Sequence, residues 1–467
     1  MFRSATALCI GLALVSSAAL RADAIDEYLV REMALRKIPG MALAVARDGE
    51  VVRVSSFGLA NVETATPVSA DSVFAIASLD KQITAVALLK AAELGKLGLD
   101  DPVSQWVDID LPGATLRQLV SHLSGLPDDT VPSFEGRFLT DYTTGQLLRQ
   151  AQGLVAIAPP GRRFLYSDTG LLLAQLATEE AVGEPWWAFV QRTVFAPAGM
   201  TTAVSMAPSL VLPHRVAAYT LDSAGTLLRD RRLDTDFGPL YSDLGMTVGD
   251  FARFLAAQDG AKVLSRNAVA TLTAPSRLAN GSLAGEVFQW SRYGLGVGLD
   301  DLLGEPMTLH SGHSGVGFAR FPQKRLSIVV FTNLEHPAGS DPVGLAIGVA
   351  GLLAPELGLA GRAPVARPDA ALLTRLRAEY ESFLGGRPDL EHYAPEISLP
   401  VWEGAPGLAG RLPRLGVLAS FELLLDGPLD GDRTLLFRAS HERGVIYWRV
   451  SLNASGDRIT RLVWWHV

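Results

Sequence analysis

Apolar positions change their period along the chain, and the changes mark out its parts. Met41 to Ala46 is a short apolar run, Asp48-Gly49 is a turn pair, and Val51 to Phe57 returns. That pattern predicts a β-hairpin over 41–60. From Asp71 the pattern turns helical, with Ile83, Val86, Ala87, Leu88 and Leu89 recurring at helical spacing and an end expected near Gly95. A long mixed middle follows, helical in character and broken by Ser124-Gly125-Leu126-Pro127 and Pro159-Pro160-Gly161. Strand patterns return late, at Gly294 to Leu299, Gly317 to Phe321 and Leu326 to Thr332. Strands at both ends of a region with helices between them predict one sheet closed by both ends, with a helical insertion. Val343 to Ala354 is strongly apolar but too short to cross a bilayer, so it reads as a buried helix stopped by Pro355.

Residues 358–368 read as a linker. Beyond it, Asp369 is placed to cap a helix carrying Leu372, Leu373, Leu376, Tyr380, Phe383 and Leu384, which ends at Gly385-Gly386. Strands are expected at Phe421–Leu425, Thr434–Ala439, Val445–Leu452 and Ile459–Trp465. The fold class is therefore α+β. An antiparallel sheet flanked by helices, with a helical insertion, should occupy 25–357, and a small helix-plus-antiparallel-sheet domain 369–467. A length of 467 residues favours two domains over one.

Composition narrows the function. Hydrophobic residues make up 48% and charged residues 19%, which suits a packed globular chain. A formal charge of −8 gives a nucleic-acid role no electrostatic support, and no basic run suggests a membrane-surface patch. At the N-terminus, Arg3, the small apolar run Ala5 to Ala19 and Ala22-Asp23-Ala24 form the pattern of a cleaved signal peptide over 1–24. The expectation is export, to the periplasm or beyond. Cys9, the only cysteine, leaves with that segment, so the mature chain has no disulfide, thiolate nucleophile or cysteine metal site.

Ser78-Leu79-Asp80-Lys81 opens the first helix. A serine hydroxyl is a weak nucleophile until a base takes its proton, and a lysine three residues on lies on the same helix face. Free backbone N–H groups at a helix N-terminus also favour a forming anion. Around this motif stand Ile38-Pro39-Gly40, Leu97-Gly98-Leu99-Asp100-Asp101-Pro102-Val103, Ser121-His122-Leu123-Ser124-Gly125-Leu126-Pro127, Tyr166-Ser167-Asp168 and Gly312-His313-Ser314-Gly315-Val316-Gly317-Phe318. In order and spacing the set resembles the serine β-lactamase-related family, the branch of class C β-lactamases, D-alanyl-D-alanine carboxypeptidases and β-lactamase-like esterases. The resemblance runs from about Ile25 to about Leu353.

The resemblance implies a three-layer fold and an acyl-enzyme mechanism without cofactor or metal. Ser78 is the expected nucleophile, Lys81 takes or shares its proton, and Tyr166 relays protons to the leaving group. His313-Ser314-Gly315 stands where the family has its K/H-T/S-G strand. There Gly315 lets substrate lie against the strand edge, and the Val316 and Ser78 N–H groups form the oxyanion hole. Asp168 replaces a frequent Asn, and His313 a frequent Lys. An aspartate facing Lys81 should hold it charged, and both changes lower the positive potential offered to a substrate carboxylate. The expected substrates are small-molecule or peptidyl esters and amides. The alternatives are a true β-lactamase or D-alanyl-D-alanine carboxypeptidase, or a catalytically weak sensing relative.

Other readings of these residues are poorer. Tyr241-Ser242-Asp243 repeats the second motif too late in the chain, and His122 reads as a loop-fixing residue. His310 and His313 suggest a metal pair, but no H-x-H-x-D-H or H-E-x-x-H is present. Gly312 to Val316 has the letters of a nucleophile elbow, yet that turn needs a small residue where Val316 stands. The C-terminal pattern resembles the cone-shaped fold of the nuclear transport factor superfamily. It carries no motif, so it reads as a packing or substrate-shaping domain.

Overall fold

Asp48 and Gly49 both adopt positive φ (52° and 86°), the backbone that a two-residue hairpin turn requires. They join β1 (Gly40–Arg47) to β2 (Glu50–Asn61). The computed structural model describes residues 24–127, 143–231, 244–285, 289–336, 339–398, 401–402 and 415–467. Nearly all of the expected signal segment, and Tyr241-Ser242-Asp243, lie outside them. The sheet is completed by β3 (Thr66–Pro67), β4 (Arg292–Tyr293), β5 (Gly298–Leu302), β6 (Glu305–Gly312), β7 (Val316–Phe321) and β8 (Leu326–Thr332). Among the described residues it has eight strands, in the order β3-β2-β1-β8-β7-β6-β5-β4. Its pairings are antiparallel, and β1 lies beside β8 from Met41↔Thr332 to Arg47↔Leu326.

The sheet is buried on both faces, which explains the unbroken apolar run of β1. Alternate residues of a strand point to opposite sides. Ala42, Ala44, Val329, Phe331, Val316 and Phe318 face α2 (Asp80–Glu93), α4 (Asp168–Val182) and α5 (Val248–Asp259) in one core. Met41, Leu43, Ile328, Val330, Ala319 and Phe321 face α1 (24–36) and α6 (Pro342–Leu353) in a second. No helix among the described residues is long and apolar enough to cross a membrane.

Two expectations shift. Residues 71–76 are not helical: Phe74–Ala75 pairs with Leu244–Met246, and only a 3₁₀ turn at Ala77–Leu79 leads into α2. The strand expected at Gly294 begins instead at Gly298, because Gly296 bends with φ +65° around the carbonyl of Lys81.

At the C-terminal end, Asp369 accepts from the N–H groups of Ala371 and Leu372 and caps α7 (Ala370–Leu384). β9 (Leu418–Leu429), β10 (Asp432–His441), β11 (Gly444–Leu452) and β12 (Ile459–His466) form an antiparallel sheet. One face packs on Leu376 and Tyr380 of α7. From the other, Leu424, Leu436, Tyr447, Val463 and Trp465 enter the core around α6. Residues 358–368 run beside β9, with Val365 N–H donating to Leu423 O at 2.8 Å.

Candidate active site

Ile76 N–H donates to Leu244 O at 2.9 Å, and Ala77 then takes φ +44°, a strained value for a residue with a Cβ. The following 3₁₀ turn delivers Ser78 to the N-terminus of α2. Lys81, in the first turn of α2, is wholly buried and donates from Nζ to Ser78 Oγ at 2.9 Å. The same ammonium contacts Asp168 Oδ1 and lies 4.8 Å from the centre of the Tyr166 ring. Burial alone would push Lys81 down, but the Asp168 and Asp80 carboxylates outweigh it and hold the ammonium above its ordinary value. Lys81 is thus held as a cation whose Nζ–H donates to Ser78 Oγ.

Asp168 is the first residue of α4, where a carboxylate also suits the helix dipole. Ser167 caps that helix by accepting from Gly170 N–H and donates to Pro127 O at 3.1 Å. Tyr166, half-buried, packs at a tilt against His122 with 4.4 Å between ring centres, with Trp290 at 6.2 Å and His310 at 6.3 Å.

His122 brackets this tyrosine. It sits just after α3 (Leu116–Val120) with φ +59°. Its carbonyl accepts from Leu165 N–H at 2.9 Å, and its Nδ1 accepts from Ser167 N–H at 3.1 Å. The proton is then on Nε2, which donates to Tyr293 Oη at 3.2 Å. At the far end, His310 Nδ1–H donates to Ser311 O at 2.9 Å, so His310 Nε2 accepts from Tyr293 Oη–H at 3.2 Å. The direction of the chain is fixed from both ends. Burial and the Lys81 cation push His122 well below the ordinary imidazole range and His310 down to about 3, so both rings are neutral. The loop-fixing role expected of His122 is visible here, together with two partners, Tyr293 and Trp290, that carry no recognisable motif.

The third motif departs from expectation. His313-Ser314-Gly315 is not strand but the turn between β6 and β7. Gly315 has φ +93°, donates to Gly312 O at 3.0 Å and faces Leu334, whose carbonyl would lie 1.9 Å from an added Cβ. Ser314 Oγ donates to Ala75 O at 2.6 Å, and His313 Nε2 lies 3.2 Å from Glu335 Oε2. Val316 opens β7 opposite Gly312 with its side chain in the core. It is the preceding triplet, His310-Ser311-Gly312, that ends a strand beside Ser78. An added Cβ on Gly312 would meet Ile76 O at 2.7 Å and Ala77 Cβ at 3.2 Å, immediately before Ser78. The sequence repeats His-Ser-Gly in tandem, and that repeat was the available clue. Asp230, His313 and Glu335 bring ligand atoms within 4.8 Å of one another, the spacing of a metal group among the described residues.

A serine at a helix N-terminus, a lysine one turn on, a tyrosine leading a second helix and a His-Ser-Gly strand end thus meet on a helix-flanked sheet, and that sheet has the β-lactamase and penicillin-binding-protein fold. The chain belongs to the β-lactamase family, whose model matches residues 25–349 and whose members are serine hydrolases. It is 29% identical over 273 residues to penicillin-binding protein 4* of Bacillus subtilis, covering 54% of this chain and 59% of that one. It is 32% identical over 203 residues to esterase EstB of Burkholderia gladioli, covering 40% and 51%. The chain thus spans little more than half the length of these relatives. The octameric penicillin-binding protein homologue of Pyrococcus abyssi shares the fold at TM-score 0.63 and 22% identity, with 94% of each chain covered.

Proposed function

We propose that this protein hydrolyses uncharged esters or amides through an acyl-enzyme on Ser78. The observation that carries the reading is the Lys81 ammonium, which donates to Ser78 Oγ while paired with Asp168 and laid on the Tyr166 ring. With Lys81 held as a cation, Tyr166 accepts the Ser78 proton, and the neighbouring charge stabilises its phenolate. Ser78 Oγ bonds to the substrate carbonyl carbon, and Tyr166 returns the proton to the leaving oxygen or nitrogen. Water then attacks the ester by the same route in reverse. The Ser78 N–H and the backbone N–H following Gly312 are proposed as the oxyanion donors, with His310-Ser311-Gly312 in the role expected of the later triplet.

The neutral-substrate preference rests on charge. Asp168 neutralises the one buried ammonium, and buried Asp230 and Glu335 flank His313. A substrate carboxylate would gain little there. The named activities of relatives, esterase and D-aminopeptidase, agree with ester or amide cleavage. Export before function is part of the proposal and rests on the N-terminal pattern. The test is a fluorophosphonate probe read by intact mass, beside a screen of short esters, D-amino-acid amides and β-lactams. Stoichiometric labelling that vanishes in Ser78→Ala is expected. A folded wild type that does not label would point instead to a sensing relative.

A further inference from the structure

The wall behind Tyr166 lies at one edge of the sheet. β4 is an edge strand of two residues, paired in the sheet with β5 through Tyr293↔Gly298 and Arg292↔Leu299, while on its outer side Tyr293 N–H donates to Ala284 O and its carbonyl accepts from Ser276 N–H, both at 2.8 Å. Short edge strands open easily unless something covers them. Yet this segment carries Trp290, packed at a tilt against His310 with 4.6 Å between ring centres, and Tyr293, whose hydroxyl links His122 to His310. An error of position here passes directly to the rings around Tyr166.

The intervening residues point the other way, to the C-terminal domain. Ser291 Oγ donates to Asp300 Oδ1 at 2.9 Å, and that carboxylate is ion-paired to Arg449 of β11, with both side chains almost fully buried. Arg449 Nη1 also donates to Asp301 O at 2.6 Å, and its guanidinium lies 5.1 Å from the Trp465 ring centre. Arg292 pairs with Asp301 on its own side and, at 2.9 Å, with Asp430 at the tip of the β9–β10 hairpin. Asp430 is held in turn by Arg461 at 2.8 Å. Four consecutive residues therefore divide, the outer two, Trp290 and Tyr293, meeting the rings around Tyr166 and the inner two, Ser291 and Arg292, meeting the clamp.

We propose that the C-terminal domain is a positioning element of the active site, in which Arg449 and Asp430 clamp the sheet edge and thereby orient Tyr166 through Trp290 and Tyr293. The proposal rests on the Ser78 hydrolase reading. Neither clamp residue touches the reacting atoms, so each acts only through the wall. Displacements of about 1 Å at a reacting group cost up to about a hundredfold in rate.

The test is a double-mutant cycle on the full chain, with Arg449→Met and Asp430→Asn each made alone and with Tyr166→Phe. The readouts are kcat and KM for a short neutral ester and the rate of Ser78 phosphonylation by intact mass. Both clamp variants should lower kcat, by about tenfold for Arg449→Met and less for Asp430→Asn, with KM little changed. In the Tyr166→Phe background the same changes should cost almost nothing, because the group they orient is gone. Equal losses in both backgrounds would overturn the proposal, as would an unchanged kcat in folded variants. Asp430→Asn keeps a side chain suited to the left-handed hairpin tip, and it decides the question alone if Arg449→Met does not fold. A wild type that fails to label at Ser78 would instead refute the hydrolase reading.

Discussion

Asp168→Asn isolates the group that sets the Lys81 proton. In the wild type Lys81 is fully buried, and its charge is held by Asp168 with Asp80 as the second carboxylate. A charge-assisted hydrogen bond contributes roughly 1.5–3 kcal/mol, or about one to two pKa units at ~1.36 kcal/mol each. Without Asp168, burial dominates and Lys81 moves down toward its neutral form. The neutral amine can then take the Ser78 proton, so kcat/KM for neutral esters near pH 7.5 should rise, by roughly three- to tenfold. Stability supplies the second readout. The wild-type Lys81 pKa is raised above its unfolded value, so its contribution is fully present below the ordinary lysine range and lost as pH rises through the folded value. The variant lacks most of that contribution. Its deficit in urea midpoint should be largest at neutral pH and begin to close only above the ordinary lysine value of about 10.4. A variant whose stability tracks the wild type across that range, with kcat/KM unchanged, would refute the assignment of Lys81's charge to Asp168.

Four further outcomes follow from the same geometry. His310→Asn should cut turnover by about a hundredfold while His313→Gln changes it only a few-fold; the reverse order would return the third motif to the later triplet. Gly315→Ala should lower the urea-unfolding free energy by about 1–3 kcal/mol, through its positive φ and the Leu334 carbonyl, whereas Gly312→Ala should act first on Ser78 labelling. The wild type should turn over small neutral esters faster than benzylpenicillin, and a spectrophotometric comparison giving the opposite ranking would remove the charge argument. Intact mass of protein recovered after export should place the mature N-terminus at Ile25, and a retained leader would contradict the cleavage reading.

Legibility followed locality. The β1–β2 hairpin, the Asp369-capped helix and the C-terminal strands were readable because a turn pair, a cap and an alternation each sit within a few residues. Ser78, Lys81 and Tyr166 could be singled out because their motifs are contiguous, and the structure brings them together; the contact of Lys81 with Asp168 followed from charge. β6 was missed because its polar residues, Thr308 and His310, break the apolar run while facing a buried network. The tandem His-Ser-Gly gave two candidates, and only the approach of Gly312 to Ile76 and Ala77 separates them. Trp290 and Tyr293 stayed silent because their roles depend on partners far away in sequence.

The pairing of β1 with β8 has a consequence for how the chain reaches this state. Gly40 N–H donates to Asn333 Oδ1 across 293 positions, and the neighbouring ladder has the same reach. The middle of the sheet therefore cannot close until almost the whole catalytic region has been synthesised. Contacts of such long sequence separation incur their loop-closure entropy early and fold slowly. Until then β1, paired on one side with β2, leaves its other edge and its apolar faces exposed, prone to pair with another chain. A chain that must be threaded through a translocon before folding would gain from that delay, whereas the same delay in a crowded expression host would favour aggregates seeded by β1.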